Sequence, residues 1–286
     1  MNILMSGATG FVGTNLTRAF QGRGWEVLPL GRDDFKLDRD SFAEKCRGAD
    51  VVINLAGAPI AERWTEEYKK VLYGSRIDTT RKIVEALSSM AEKPRLFIST
   101  SAVGIYDTKG VHTEDRATFA RDFLGKLAQD WEREAMKARE AGVRTVIFRF
   151  GIVLGKGGGA LQRMLIPFKL GAGGVIGDGK QPFSWVHIDD LIRAYFTVIE
   201  QESYEGVYNL TAPNPSTNKE LSKTIGRVLK RPVLLRIPAF VLRLQFGEAA
   251  KVLLEGQTVL PERLLESGFT FTFPRIEQAL EDILRR

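Results

Sequence analysis

GATGFVG, residues 7–13, sets three glycines three residues apart, straight after the apolar run Ile3-Leu4-Met5. Glycine permits a tight turn and close backbone approach, and a helix starting there turns its N–H groups toward an anion. The spacing is G-x-x-G-x-x-G rather than the G-x-G-x-x-G dinucleotide fingerprint, but the mechanics are the same. Because a strand precedes it and an amphipathic stretch with Leu16 and Phe20 follows, the loop reads as a pyrophosphate cradle. Its cofactor contacts are expected from Gly7, Thr9, Gly10, Phe11 and Val12.

Three further stretches carry chemistry. EVLPLGRDD puts Gly31 where an acid would grip the ribose hydroxyls, with Arg32 beside it. Without a carboxylate there, a 2′-phosphate meets no repulsion, and a guanidinium pairs with it bidentately. This favours NADP(H) over NAD(H), the alternative being a solvated Arg32 with the ribose held by Asp33 or Asp34. VVINLAG, 51–57, ends a strand in small residues, so Leu55, Ala56 and Gly57 either lie along the cofactor's adenosine and ribose or form a plain glycine turn. In FSWVHIDD, His187 is either an acid–base group or a structural residue. Asp189 and Asp190 fit the cap of a helix starting at Leu191. Phe183 and Trp185 line a ligand pocket or pack the core, and Arg149 meets a substrate anion or forms a buried ion pair. With two separated histidines and one cysteine, Cys46, no metal site is expected. No G-x-S-x-G of a hydrolase occurs.

These residues need a scaffold to hold them. Apolar runs at 2–5, 26–30, 50–55, 96–99, 145–150 and 206–210 read as strands, mostly covered on both faces as in a parallel sheet. Helical patterns lie between them: 65–90, and 126–139 with Leu127, Trp131 and Ala135 on one face. The alternation predicts an α/β fold, a Rossmann-like doubly wound parallel sheet with a small C-terminal lobe on the substrate side. After Phe150, GKGGGA and LGAGGVIGDGK read as irregular loops, either punctuation or ligand-side loops. A last strand is expected at 233–237 and a last helix around Ile276, Leu280, Ile283 and Leu284. The boundaries expected are 1–150 for the NADP-binding core, 151–237 for its remainder with glycine-rich loops, and 238–286 for a C-terminal domain.

Composition excludes several classes. Hydrophobic residues are 44% and charged residues 27%, as in ordinary globular chains. No run approaches the roughly 20 apolar residues of a membrane span, and no signal peptide precedes the glycine loop. A single cysteine points to a reducing, cytoplasmic setting. The 41 basic residues are scattered among 35 acidic ones, so the net charge of +6 suits a phosphorylated cofactor or substrate, not nucleic acid.

GATGFVG, NLAG, FISTSAVGIY and WVHIDD together resemble an extended or atypical short-chain dehydrogenase/reductase. The strings NLAGAPIAERWTEEYKK, GSRIDTTR, RFGIVLGKGGGAL, FSWVHIDDL, NLTAPNPSTN and LLEGQTVLPERLLESGF narrow this to the sugar-nucleotide-epimerase-like branch, which carries a C-terminal domain of unknown function. The likeness covers essentially the whole chain. It implies NADP(H) held by Gly31-Arg32, Leu55-Ala56, Arg76 and the backbone near Ile152.

Active members of that family use a Ser, and a Tyr and Lys spaced Y-x-x-x-K. Ser101 matches the Ser and Lys126 the Lys, but Asp122 then stands at the tyrosine position, and Asp loses its proton well below neutral pH. Tyr106 and His187 remain as other proton carriers, Tyr106 alternatively packing over its loop. The expected function is an NADP(H)-binding oxidoreductase or epimerase acting on a nucleotide sugar or a small hydroxy/keto compound. The alternative is a catalytically weak NADP(H)-binding regulatory or scaffold protein. The partners expected are a small-molecule substrate, with neither membrane nor nucleic acid, for a monomer or dimer.

Overall fold

The computed structural model describes residues 1–285. Six strands, all parallel, build the central sheet: β1 (Asn2–Ser6), β2 (Glu26–Leu30), β3 (Val51–Asn54), β4 (Leu96–Ala102), β5 (Thr145–Phe150) and β6 (Gly206–Leu210), in the order β6-β5-β4-β3-β1-β2. Helices α1 (Phe11–Gly22), α2 (Arg39–Cys46), α3 (Glu66–Gly74), α4 (Ile77–Ser89), α5 (Phe123–Glu140), α6 (Gly159–Lys169), α7 (Ile188–Glu200) and α8 (Asn218–Leu229) follow in chain order. The six expected core strands are all present, and the doubly wound fold with them.

Strand alternation sorts the core into two layers. Ile3, Met5, Ile53, Ile98 and Phe148 pack with α1 and α7. Leu4, Val52, Phe97 and Ile147 pack with α2, α4 and α5 on the other face. On that second face the residues toward the C-terminal ends turn polar: Ser6, Asn54 and Ser99 sit side by side in register, as do Ser101, Arg149 and Asn209.

Several local features differ from the expectations. The 65–90 pattern is two helices, α3 and α4, broken at Ser75-Arg76. Inside the second glycine-rich stretch, Gly174–Ile176 is a short strand paired with Leu235–Ile237. α7 starts at Ile188 with His187 as its N-cap, not at Leu191, so Asp189 and Asp190 lie in its first turn. Trp185 and Phe183 are core residues, packed with the C-terminal helix Ile276–Arg285. No helix among the described residues is long and apolar enough to cross a membrane.

Candidate nucleotide site

The chain leaves β1 outward to β2 and then crosses back to β3, so the topological switch point lies between β1 and β3. Crevices at such points, beyond the strand C-termini, are where open α/β sheets bind ligands. The loop after β1 is the glycine cradle. Gly7 has φ +70°, and a Cβ there would meet the Leu55 backbone at 2.9 Å. A Cβ on Gly13 would lie 2.2 Å from the Gly7 carbonyl oxygen. The first substitution closes the crevice toward β3, and the second pushes α1 off its strand. α1 begins after Gly10 with no side-chain cap and no acid in its first turn, which leaves its positive end facing the crevice.

A buried hydrogen-bond chain sets the opposite wall. Ser6 Oγ donates to Asn54 Oδ1 (2.6 Å) and accepts from the backbone N–H groups of Leu55 and Ala56 (both 3.2 Å). Asn54 Nδ2 donates to Thr80 Oγ1 (2.8 Å), Thr80 donates to the Arg76 carbonyl (2.6 Å), and Trp131 Nε1 donates to Thr80 (2.9 Å). Ser6, Asn54 and Thr80 are fully buried. The chain fixes the 55–57 loop and the start of α4 as one unit. Sequence reading missed it, although polar Ser6 and Asn54 at the ends of apolar strands were its signal.

Arg76 stands at that junction, buried. Its guanidinium donates to the carbonyls of Leu72 (3.2 Å) and Ala58 (2.9 Å) and lies against Gly57, where a Cβ would meet it at 3.0 Å. No carboxylate pairs with it among the described residues. Burial pulls its pKa down to about 10, so an anion beside it would offset that penalty. On the β2 side, Asp34 accepts from the Gly31 N–H (2.7 Å) and faces Lys45 (3.5 Å), while Asp33 pairs with Lys36 (2.7 Å). Both acids that compete for the ribose are engaged. Arg32 is exposed, and no carboxylate pairs with it among the described residues.

The third wall is Phe11, whose ring is walled by Gly155, Gly158 and Gly159, where added Cβ atoms would come within 2.4–2.9 Å of it. Those glycines let the segment between Leu154 and α6 lie flat over the cradle. Ile152 heads the short strand Ile152–Leu154, paired with Trp185–His187.

The four proton-carrying candidates do not assemble into one relay. Ser101 is buried and donates to Glu132 Oε1 (2.6 Å). Arg149 donates to both Glu132 oxygens (2.7 Å each) and to Tyr106 Oη (2.6 Å), and Tyr106 donates to Asn209 Oδ1 (2.7 Å). Arg149 is therefore the buried ion pair of its two readings. Burial works against its charge, but the Glu132 bonds more than offset this and hold its pKa above the usual value. Tyr106 is fully buried, stacked on His112 at 4.9 Å, and burial pushes its phenol pKa up. α5 turns Ala128 and Glu132 inward and leaves Lys126 exposed. Asp122 caps α5 by accepting from Gly125 N and pairs with Lys251 (2.7 Å). Burial raises its pKa, but those partners win and hold it low.

His187 sits elsewhere. Its Nδ1 accepts from the Asp189 N–H (3.1 Å), its ring lies 3.9 Å from that of Phe273, and its Nε2 is 3.4 Å from Asp282. His187, Asp189 and Asp282 bring ligand-type atoms within 4.8 Å of one another. With the Nδ1 lone pair turned to a backbone N–H, the ring presents an N–H toward Asp282, which fits a clamp on the C-terminal helix better than an ion. Asp190, fully buried, accepts from the N–H groups of Thr272 (2.7 Å) and Phe273 (2.9 Å). FSWVHIDD thus anchors the C-terminal segment.

Residues 3–211 match a family model described as the NAD dependent epimerase/dehydratase family, and residues 237–283 match a domain of unknown function, DUF1731. Epimerase family protein YfhF of Bacillus subtilis is 39% identical over 298 residues, covering 99% of this chain and 98% of that protein. Human epimerase family protein SDR39U1, solved with NADPH, superposes with a TM-score of 0.92 at 36% identity, covering 100% of both chains. A UDP-glucuronic acid 4-epimerase from Bacillus cereus, solved with UDP-glucuronic acid and NAD, superposes with a TM-score of 0.80 at 18% identity over 99% of this chain and 98% of that one. At that identity the likeness is one of fold.

Proposed function

The chain belongs to the NAD dependent epimerase/dehydratase family, and from that membership we propose that it is an atypical short-chain dehydrogenase/reductase binding NADP(H), an oxidoreductase or epimerase for a nucleotide sugar or a small hydroxy/keto compound. One observation carries the cofactor choice: among the described residues Arg32 and Arg76 flank the crevice without a carboxylate on either, while Asp33 is held by Lys36 and Asp34 by Lys45 and the Gly31 N–H. The human relative solved with NADPH supports the same choice.

Each residue has a part. Gly7, Thr9, Gly10, Phe11 and Val12 hold the pyrophosphate against the α1 N-terminus, with Phe11 roofed by the Gly155–Gly159 backbone. Gly31 leaves room for the 2′-phosphate and Arg32 pairs with it. Leu55, Ala56 and Gly57, pinned through Ser6 and Asn54, lie along the adenosine side, and Arg76 supplies charge behind them. Ile152 closes the far wall. The cofactor, once bound, supplies or accepts hydride. The likeness to an epimerase solved with UDP-glucuronic acid supports the nucleotide-sugar class, and the single cysteine supports a cytoplasmic setting.

A specific observation favours a second reading, a cofactor-holding regulatory protein with little turnover. Ser101 donates its hydrogen bond to Glu132, and Lys126 is exposed to solvent. NADPH oxidation on any member of a panel of carbonyl compounds and nucleotide sugars defeats this second reading.

Titration with NADPH and NADH, followed by nicotinamide fluorescence, tests the cofactor assignment. Wild type is expected to prefer NADPH, and Arg32→Ala to weaken NADPH by about 10- to 100-fold, the worth of a charge-assisted bond, with NADH unchanged. Equal affinities in wild type, or an unaffected variant, would overturn it.

A further inference from the structure

The small lobe built by α6, α8, the paired strands Gly174–Ile176 and Leu235–Ile237, and the helix Ala239–Phe246 has an unusual outer surface. It is apolar: Leu170 and Leu244 are each 78% exposed, Leu234 85% and Phe240 68%. The helix Ala239–Phe246 buries only Leu242 although its sequence, AFVLRLQF, is apolar nearly all round. Aliphatic and aromatic side chains left so far out of the core mark a surface that meets something.

Two long stretches of this lobe are basic and free of acids, although Glu220 stands in the first turn of α8 and Glu277, Glu281 and Asp282 lie on the C-terminal helix packed against it. No Asp or Glu occurs between Glu140 and Asp178, or between Glu220 and Glu248. Arg163, Lys169, Lys230, Arg231, Arg236 and Arg243 are all exposed, and none forms an ion pair with the described residues. Elsewhere paired surface cations are interspersed among the unpaired ones, as with Arg23–Glu200, Arg139–Glu205 and Arg263–Asp115. Charge and apolar surface therefore adjoin, Lys169 beside Leu170, Arg236 beside Leu235 and Arg243 beside Leu244.

We propose that this lobe is a docking surface for an anionic lipid bilayer, on which the protein lies peripherally. Leu234, Phe240 and Leu244 enter the boundary between headgroups and acyl chains while the arginines and lysines meet the lipid phosphates. This combination selects the occupant. A two-fold contact with a second copy would set these cations against one another. Nucleic acid would use the cations and aromatic stacking but draw nothing from exposed leucines. A bilayer of anionic lipids uses both. None of these residues is among those assigned to the nucleotide crevice, so the test does not depend on the proposed function.

The experiment is vesicle flotation of the full chain with phosphatidylcholine alone and with phosphatidylcholine mixed with phosphatidylglycerol. Binding is expected only to the mixed vesicles, falling as salt is raised. Removing one cation, as in Arg236→Ala, weakens it about fivefold, and Phe240→Ser with Leu244→Ser abolishes it. These residues are exposed, so the variants keep their fold and their NADPH affinity, which serves as the control. Arg236→Glu is a second variant, expected to weaken binding more than Arg236→Ala. Equal behaviour on the two vesicle types overturns the proposal, as does binding indifferent to the serine pair. A wild-type dimer that the serine pair converts to monomer, or duplex DNA bound equally by wild type and the serine pair, likewise overturns it in favour of the other occupant.

Discussion

Ser101 Oγ lies 2.6 Å from Glu132 Oε1 and donates a hydrogen bond to it, tying the end of β4 to the middle of α5. Arg149, beside Ser101 in the sheet register, closes the pair from the other side. A serine so engaged offers a neighbouring ligand no proton.

Ser101→Ala should therefore act on stability. Loss of a buried bond to a charged group costs about 1–3 kcal/mol, read as a Tm lowered by several degrees, with NADPH affinity and any turnover preserved. Glu132→Ala should cost about 3–5 kcal/mol, because it leaves a buried guanidinium uncompensated. Turnover lost in Ser101→Ala at unchanged Tm would instead mean that the hydroxyl swings to the substrate.

Two glycines of α1 should respond in opposite directions. Gly13→Ala drives a methyl into the Gly7 carbonyl and should destabilise by about 1–3 kcal/mol while abolishing NADPH binding. Gly22 has open space around the Cβ position, so Gly22→Ala should stabilise by about 0.4–1 kcal/mol and leave binding alone. Denaturant melts and a NADPH titration read both.

Glu114 carries a pH dependence. Burial raises its pKa, although its carboxylate accepts from the Asn209 N–H (2.7 Å) and sits near Arg263. A raised carboxyl pKa means that the folded state holds the proton longer than the unfolded chain. Its favourable contribution is present below the ordinary carboxylate pKa and lost as pH rises through the folded value. Glu114→Gln should therefore melt above wild type at neutral pH, with the gap closing as pH falls below about 4. A gap that widens on acidification would contradict the assignment.

Cys46 is fully buried, and burial pushes its thiol up to about 12. It should resist thiol reagents at pH 8 in the native state and react at once in denaturant. Reaction of the native protein at the rate of a free thiol would show that α2 opens locally.

Much of this molecule is legible along the chain because it rests on short-range rules. Apolar strands covered on both faces, helices between them and a glycine loop after the first strand need no distant partner to be read. The demand for glycine at 13 is local too, since the clash that forbids a side chain there comes from Gly7 and Ala8 of the same loop, whereas at 7 it comes from Leu55, which only the sheet brings near. Asp122 at a tyrosine position was also readable, once the family resemblance matched Lys126 to the lysine of Y-x-x-x-K.

What only the tertiary structure decided are pairings between distant residues. Arg149 is equally consistent with a substrate anion or an ion pair until α5 brings Glu132 against it, 17 residues away. Tyr106 changes from candidate proton carrier to buried strut because Asn209, 103 residues away, takes its hydroxyl. His187 becomes a helix cap and clamp because Phe273 and Asp282 fold back on it, and Gly158 becomes a seat for Phe11. The basic, apolar lobe likewise appears only when α6 and the chain after α8 meet through Gly174 and Leu235. Residue type sets what a side chain can do. Which of its options is taken depends on which groups share its buried volume, and that is settled by packing across the whole chain.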